Sequence, residues 1–202
     1  MKHSFTCSPG HRSTAQAGFT LIELMVGVAI MAIILAFGVP SFQSAIASNR
    51  LTGTTNDLVS AMALARTEAI RRGTRVTLCK SANATQCTNA GQWTQGWIVF
   101  VDTTRSSTDA SVDTGETILA SQAASPPNIA LKGTADVANF ISFGADGRPK
   151  LMNGAAQSGF LQVCSTVGAL ADSRRARDVE ITAAGRVITH TPSSVSASCP
   201  DL

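Results

Sequence analysis

Residues 19–39 read FTLIELMVGVAIMAIILAFGV, 21 residues in which Glu23 is the single charge. At about 1.5 Å of rise per residue, a helix of this length covers roughly 30 Å, the thickness of bilayer hydrocarbon. The stretch is therefore expected to cross a membrane as a helix. Lys2, His3, His11 and Arg12 precede it, and no Lys or Arg follows until Arg50. Basic flanks stay on the cytoplasmic side, so the N-terminus is expected inside and the chain beyond Pro40 outside.

An ordinary cleaved signal has a shorter apolar core and a small-residue cleavage site on its far side. Here the run is too long, and the small residue lies on the near side, where Gly18 precedes Phe19. Glu23 is a second anomaly. A carboxylate inside an apolar span costs about 2.5–3.5 kcal/mol near the helix centre and less near its end. Such a charge calls for a partner.

The junction Gly18-Phe19-Thr20-Leu21-Ile22-Glu23-Leu24 resembles the class III leader junction of type IV pilins and type II secretion pseudopilins. The resemblance implies a leader over residues 1–18, cleavage after Gly18 by the prepilin peptidase, and N-methylation of Phe19. It also implies an assembly role for Glu23, whose carboxylate would neutralise an N-terminal amine in the growing filament. An amine and a carboxylate buried together cost less than either alone. The implied partners are the peptidase, an inner-membrane assembly platform and other minor or major pilins or pseudopilins. The implied location is the inner membrane, then a pilus or pseudopilus, with the C-terminal domain periplasmic. Pro40 closes the span. A proline inside a helix removes one hydrogen bond and crowds the preceding turn, so a kink or local unwinding is expected there. Relatives carry a proline at the corresponding place, and melting near it accompanies filament packing.

Beyond Pro40 the apolar positions Leu51, Leu58, Met62, Ala65 and Ala69 recur at helical spacing. The helix is expected to continue over residues 40–73 as an amphipathic segment, stopped by Gly73 after Arg71 and Arg72. From Thr74 the pattern changes to short β-branched runs between Gly, Asn, Asp and Pro. Strands are expected at 75–80, 96–102, 116–120, 128–132, 139–143, 160–164, 177–181 and 186–190, with a polar loop at 103–115. The fold class is α+β: a long N-terminal helix, its first half transmembrane, packed on a mostly antiparallel, β-rich domain over residues 74–202.

The stretch 64–70 (LARTEAI), Cys79, Cys87, Trp93 and the run Gly96-Trp97-Ile98-Val99-Phe100-Val101-Asp102 are similar to the GspH/FimT group of pilins and pseudopilins. That group holds the H pseudopilin of type II secretion and the FimT and FimU minor pilins. The cysteine loop ahead of the Gly-Trp-Ile-Val-Phe strand looks like those of the minor pilins. Trp93 and Trp97 are read as packing residues.

Cys7 precedes the span, which leaves Cys79, Cys87, Cys164 and Cys199 on the outer side. Four cysteines allow three pairings, and spacing favours Cys79 with Cys87 and Cys164 with Cys199. A zinc site is disfavoured because no Cys-x-x-Cys pair occurs, so neither metal nor cofactor is expected. Asp102, Asp109, Asp113 and Glu116 flank a loop, but their spacing is not that of an EF-hand. His190 is the one histidine beyond the leader, so no nucleophile and base can be paired and an enzyme is not expected.

With Lys2 and Arg12 set aside, 14 Lys and Arg face 13 Asp and Glu, which is not the balance of a strongly basic nucleic-acid binder. A local cluster remains: Arg174, Arg175, Arg177 and Arg186, with Arg148 and Lys150 nearby, as a candidate for holding DNA phosphates. FimT-type relatives carry a Gly-Arg-x-Arg motif for that purpose. This chain has Gly185-Arg186-Val187-Ile188, so the second arginine is missing. The leading expectation is a minor pilin-like subunit. A type II secretion pseudopilin and a pilus-associated DNA receptor are the alternatives.

Overall fold

The computed structural model describes residues 18–104, 108–193, 195 and 199. Apart from Gly18, the expected leader lies outside the described residues, as do His3, Cys7, His11 and part of the 103–115 loop. The chain divides into two compact units, Met1–Val39 and Pro40–Leu202.

One helix, α1 (Leu21–Arg72), contributes to both units. It continues without interruption through Pro40, so the expected unwinding is absent. Proline deletes only the bond to the Ala36 carbonyl, and the remaining ladder holds the turn. Over its first half the large apolar side chains are exposed, from Leu21 and Ile22 to Leu35 and Phe37. In the second half Ala47, Leu51, Thr54, Thr55, Leu58, Met62, Ala65 and Ala69 are buried, a stripe repeating every three or four residues. The helix stops in a Schellman motif. Gly73, at φ 65°, donates to the Ile70 carbonyl and Thr74 to that of Ala69.

The strands are β1 (Val76–Lys80), β2 (Trp97–Val101), β3 (Ile118–Gln122), β4 (Ile129–Gly133), β5 (Phe140–Phe143), β6 (Gly159–Ser165), β7 (Ala176–Ile181) and β8 (Val187–His190). They form two antiparallel four-stranded sheets, ordered β3-β2-β1-β5 and β4-β6-β7-β8. The α+β class is as expected. β3 starts two residues later than expected because the Glu116 carboxylate is engaged in the loop before it. It accepts hydrogen bonds from the amides of Thr103, Thr104 and Asp113. The described part of the 103–115 loop is pinned by that side chain.

Strand alternation sorts the side chains. Val76 and Leu78 of β1 and Val99 of β2 meet the α1 stripe, and Leu131, Leu161, Val163, Val179 and Ile181 of the second sheet join the same core, as do Trp93 and Trp97. Each such fully buried side chain contributes about 1.5–3 kcal/mol. The opposite face of the first sheet carries Cys79, Ile98, Phe100 and Phe140, covered by Ala110, Met152 and the partly buried Cys87. Cys79 is joined to Cys87 and Cys164 to Cys199, with Cα–Cα separations of 5.6 and 5.8 Å.

Asp102, just past β2, is buried. Its Oδ2 accepts from the Thr77 hydroxyl at 2.7 Å, while Oδ1 has no partner among the described residues. Burial pushes its pKa above the ordinary 3.8, with Glu116 and Asp113 adding to the rise and Thr77 and Arg75 opposing it. An acid whose folded pKa is raised contributes stability that is complete below its unfolded pKa and is lost as pH climbs through the folded value. Asp102→Asn is expected to flatten the fall in melting temperature between about pH 4 and neutrality and to raise stability at pH 7. Parallel pH curves for the two proteins would show that Asp102 is not the group responsible.

Candidate functional site

The processing junction sits where α1 begins. Gly18 and Phe19 precede the helix, and Phe19 is 84% exposed. Thr20 is the cap: its hydroxyl accepts the Glu23 amide at 3.3 Å, and its carbonyl accepts the Leu24 amide at 3.2 Å. Helix starts leave amides unsatisfied, and a Thr side chain commonly supplies one acceptor. The role of Thr20 was not anticipated from the sequence, although Thr20-x-x-Glu23 is the spacing of a capping box. The cap leaves the bond between Gly18 and Phe19 outside the helix. It also sets Glu23 in the first turn, where the helix dipole favours a carboxylate.

The remainder of the span has no cover of its own. Its most apolar 18-residue window has mean hydropathy 2.5 and is 0% buried, so by length and composition α1 can cross a membrane. Exposed apolar surface on this scale marks lipid or protein contact.

The four arginines proposed as a phosphate patch do not come together. Arg175 is 3% exposed and turned inward. It donates to the carbonyls of Ser165, Val167 and Leu170 and to Asp172 Oδ1, tying the β6–β7 connection. Arg177 donates to the Arg174 and Ala176 carbonyls, and Arg174 is exposed. Arg186 lies in the β7–β8 turn, about 17 Å of strand away from Arg177. There Gly185 is indispensable at φ 80°, since a Cβ would fall 2.3 Å from the Gly147 carbonyl oxygen. Arg148 is on that neighbouring turn, and Lys150 is paired with Asp146 at 2.8 Å. The corrected picture is one structural arginine, two at the start of β7, and one at its far end. The cause is the turn at 171–174, which points Arg174 outward and Arg175 inward.

The other chemical candidates are also placed. His190 Nε2 is 3.5 Å from Asp178 Oδ2, in a row Lys132, Gln162, Asp178, His190 that runs across the second sheet. Among the described residues no group of three or more His, Cys, Asp or Glu is arranged to hold a metal ion.

An N-terminal helix with a small-residue junction, an acid in its first turn and an exposed apolar face, continuing into a β-rich domain, defines a pilin-like subunit. The family model of the prokaryotic N-terminal methylation motif matches residues 13–39, and that of the type II transport protein GspH matches residues 54–185. The chain belongs to the GspH family. Two fimbrial proteins of Pseudomonas aeruginosa are each 39% identical to it over 72 residues, 36% of this chain and 46% of theirs. The chain thus spans about half the length of the curated relatives it matches. A solved structure of the type IV minor pilin FimU of Pseudomonas aeruginosa is similar at 15% identity and TM-score 0.46, with 76% of this chain and 96% of that one covered.

Proposed function

We propose that this chain is a non-enzymatic minor pilin, cleaved after Gly18, methylated on Phe19 and built into or beneath the tip of a type IV pilus. The observation that carries the reading is Glu23, held in the first turn of an exposed apolar helix directly after the Gly18–Phe19 junction. Its charge is costly in lipid and is offset when the freed amine of a subunit comes to lie beside it. Prepilin peptidase, an inner-membrane assembly platform and other pilins are the partners. The N-terminus is cytoplasmic and the domain periplasmic. Both disulfides suit that oxidising compartment.

A second reading is favoured by the GspH family match itself: a pseudopilin of type II secretion. It shares the junction, the helix and the fold, and pilus or secretion genes beside this one would separate the two. The DNA-receptor reading loses support from the separation of Arg186 from Arg174 and Arg177. The decisive test is the intact mass of the membrane protein from strains with and without prepilin peptidase. Loss of residues 1–18 and gain of one methyl group, only with the enzyme, is expected. An unchanged mass in both strains would remove the pilin reading.

A further inference from the structure

Asn153 is the single asparagine of this chain that precedes a glycine; every other one is followed by a residue with a Cβ. The pair Asn153-Gly154 forms the tip of a tight turn. Gly154, at φ 89°, donates its amide to the Leu151 carbonyl at 2.9 Å, and the Leu151 amide donates to the Ala155 carbonyl at 2.9 Å. Below them Lys150 bridges to Ala156. Glycine takes the left-handed backbone that such a turn needs at no steric cost. The Asn153 side chain bends back over the same backbone, so that its Oδ1 accepts the Ala155 amide at 2.9 Å. Its Nδ2 has no partner among the described residues. Asn153, Gly154 and Ala155 are all exposed, and a Cβ built on Gly154 would meet nothing within 4 Å.

These contacts favour attack of a backbone amide on a side-chain amide. The Gly154 nitrogen and the Asn153 side-chain carbon Cγ are close along the chain, and a bond between them closes a cyclic imide. During the attack negative charge builds on Oδ1. The Ala155 N–H already donates to that oxygen, which is the placement of an oxyanion donor. Gly154 has no Cβ to crowd the approach, whereas any other residue there would bring one. Opposing the reaction is the bond from the Gly154 amide to Leu151, which must break before the nitrogen can attack. One net backbone hydrogen bond corresponds to a factor of roughly 2–10 in rate, so the fold slows the step without stopping it.

We propose that Asn153-Gly154 is a self-modifying site, converted without an enzyme to aspartate and isoaspartate. The Gly154 nitrogen bonds to Asn153 Cγ and gives up its proton, the Cγ–Nδ2 bond breaks, and ammonia leaves with that proton. Water then opens the imide, and its oxygen stays in the new carboxylate. Opening at Cγ gives aspartate, and opening at the backbone carbonyl gives isoaspartate. Nothing is oxidised or reduced, and water is the only co-reactant. Asn153 borders a cleft of about 230 Å³ together with Asp109, Asp136, Asn139 and Phe140, so conversion adds a carboxylate beside two others. Isoaspartate also lengthens the backbone of a turn whose Lys150 and Leu151 carbonyls accept from Arg75 Nη1 and whose Met152 belongs to the second core cluster. The charge of this face thus changes with the age of the subunit.

The test keeps the purified full chain in detergent micelles, folded or in concentrated urea, in warm neutral buffer made with ¹⁸O-labelled water. Digestion with trypsin in ordinary water then releases Leu151–Arg174, in which Asn153 is the single asparagine. By mass spectrometry this peptide is expected to gain a heavy oxygen and to separate into aspartyl and isoaspartyl isomers. The folded chain should convert about tenfold more slowly than the chain in urea. Asn83 and Asn89, exposed and each followed by alanine, are internal references and should lag behind Asn153 by about tenfold or more in the folded chain. Gly154→Ala should slow conversion about tenfold in the folded chain and equally in urea, where no turn remains for the substitution to strain. An unchanged Asn153 in the folded chain, over an interval that converts the urea sample fully, would overturn the proposal. So would Asn83 or Asn89 keeping pace with Asn153, or Gly154→Ala converting at the parent rate in urea.

Discussion

Gly18→Val is expected to leave the protein in the membrane at its full length, with the leader attached and no methyl group on Phe19. The argument separates recognition from folding. A Cβ placed on Gly18 meets nothing within 4 Å, and the residue precedes the helix, so neither α1 nor the domain is disturbed. The burden of the substitution falls on the enzyme that must bring the scissile bond to its catalytic groups. A displacement of about 1 Å at such a centre costs roughly 100-fold in rate. Intact mass and a pulse-chase of precursor shortening read the effect directly. Normal shortening of the variant would show that the glycine is not the determinant and that the junction resemblance is misleading.

Arg175→Ala should destabilise the domain by about 3 kcal/mol, because it removes the common donor of several buried carbonyl groups. The carbonyls of Ser165, Val167 and Leu170 all point at the guanidinium. The ion pair with Asp172 adds little, since that carboxylate is 58% exposed and exposed pairs contribute about 0–1 kcal/mol. For a domain of this size the loss corresponds to roughly 6–12 °C in melting temperature. Arg174→Ala, one residue away and exposed, with no side-chain partner among the described residues, should stay within about 0.5 kcal/mol of the parent. Thermal unfolding of both variants followed by circular dichroism gives the comparison. Equal melting temperatures would mean that Arg175 is a surface group after all, and would return it to the candidates for phosphate binding.

Much of this architecture was legible in the residues. Each strand lies within two residues of its expected place, because Gly, Asn and Pro punctuate β-branched runs and strand order along the chain is a local property. Sheet membership was not legible: that β5 pairs with β1 across more than sixty residues, while β4 leaves for the other sheet, depends on long-range packing. At the site, the junction and Glu23 could be read directly. The basic cluster was misjudged because neighbours in sequence at a turn need not share a direction. Arg174 and Arg175 diverge there, and Arg186 is carried off by the length of β7. Proximity in number was a poor guide to proximity in space.

The interleaving of the two sheets constrains how the protein can be made. β1 and β2 come early in the chain, yet β1 lacks its second neighbour until residues 140–143 have followed, and β4 waits for β6 at 159–165. A chain synthesised from its N-terminus therefore holds apolar strands with open edges until residue 165 has followed, since contacts distant in sequence form late. On the proposed placement α1 would keep the unfinished chain tethered, and the apolar runs Val76–Cys79 of β1 and Trp97–Val101 of β2 are the segments that a chaperone would have to shield until β5 arrives.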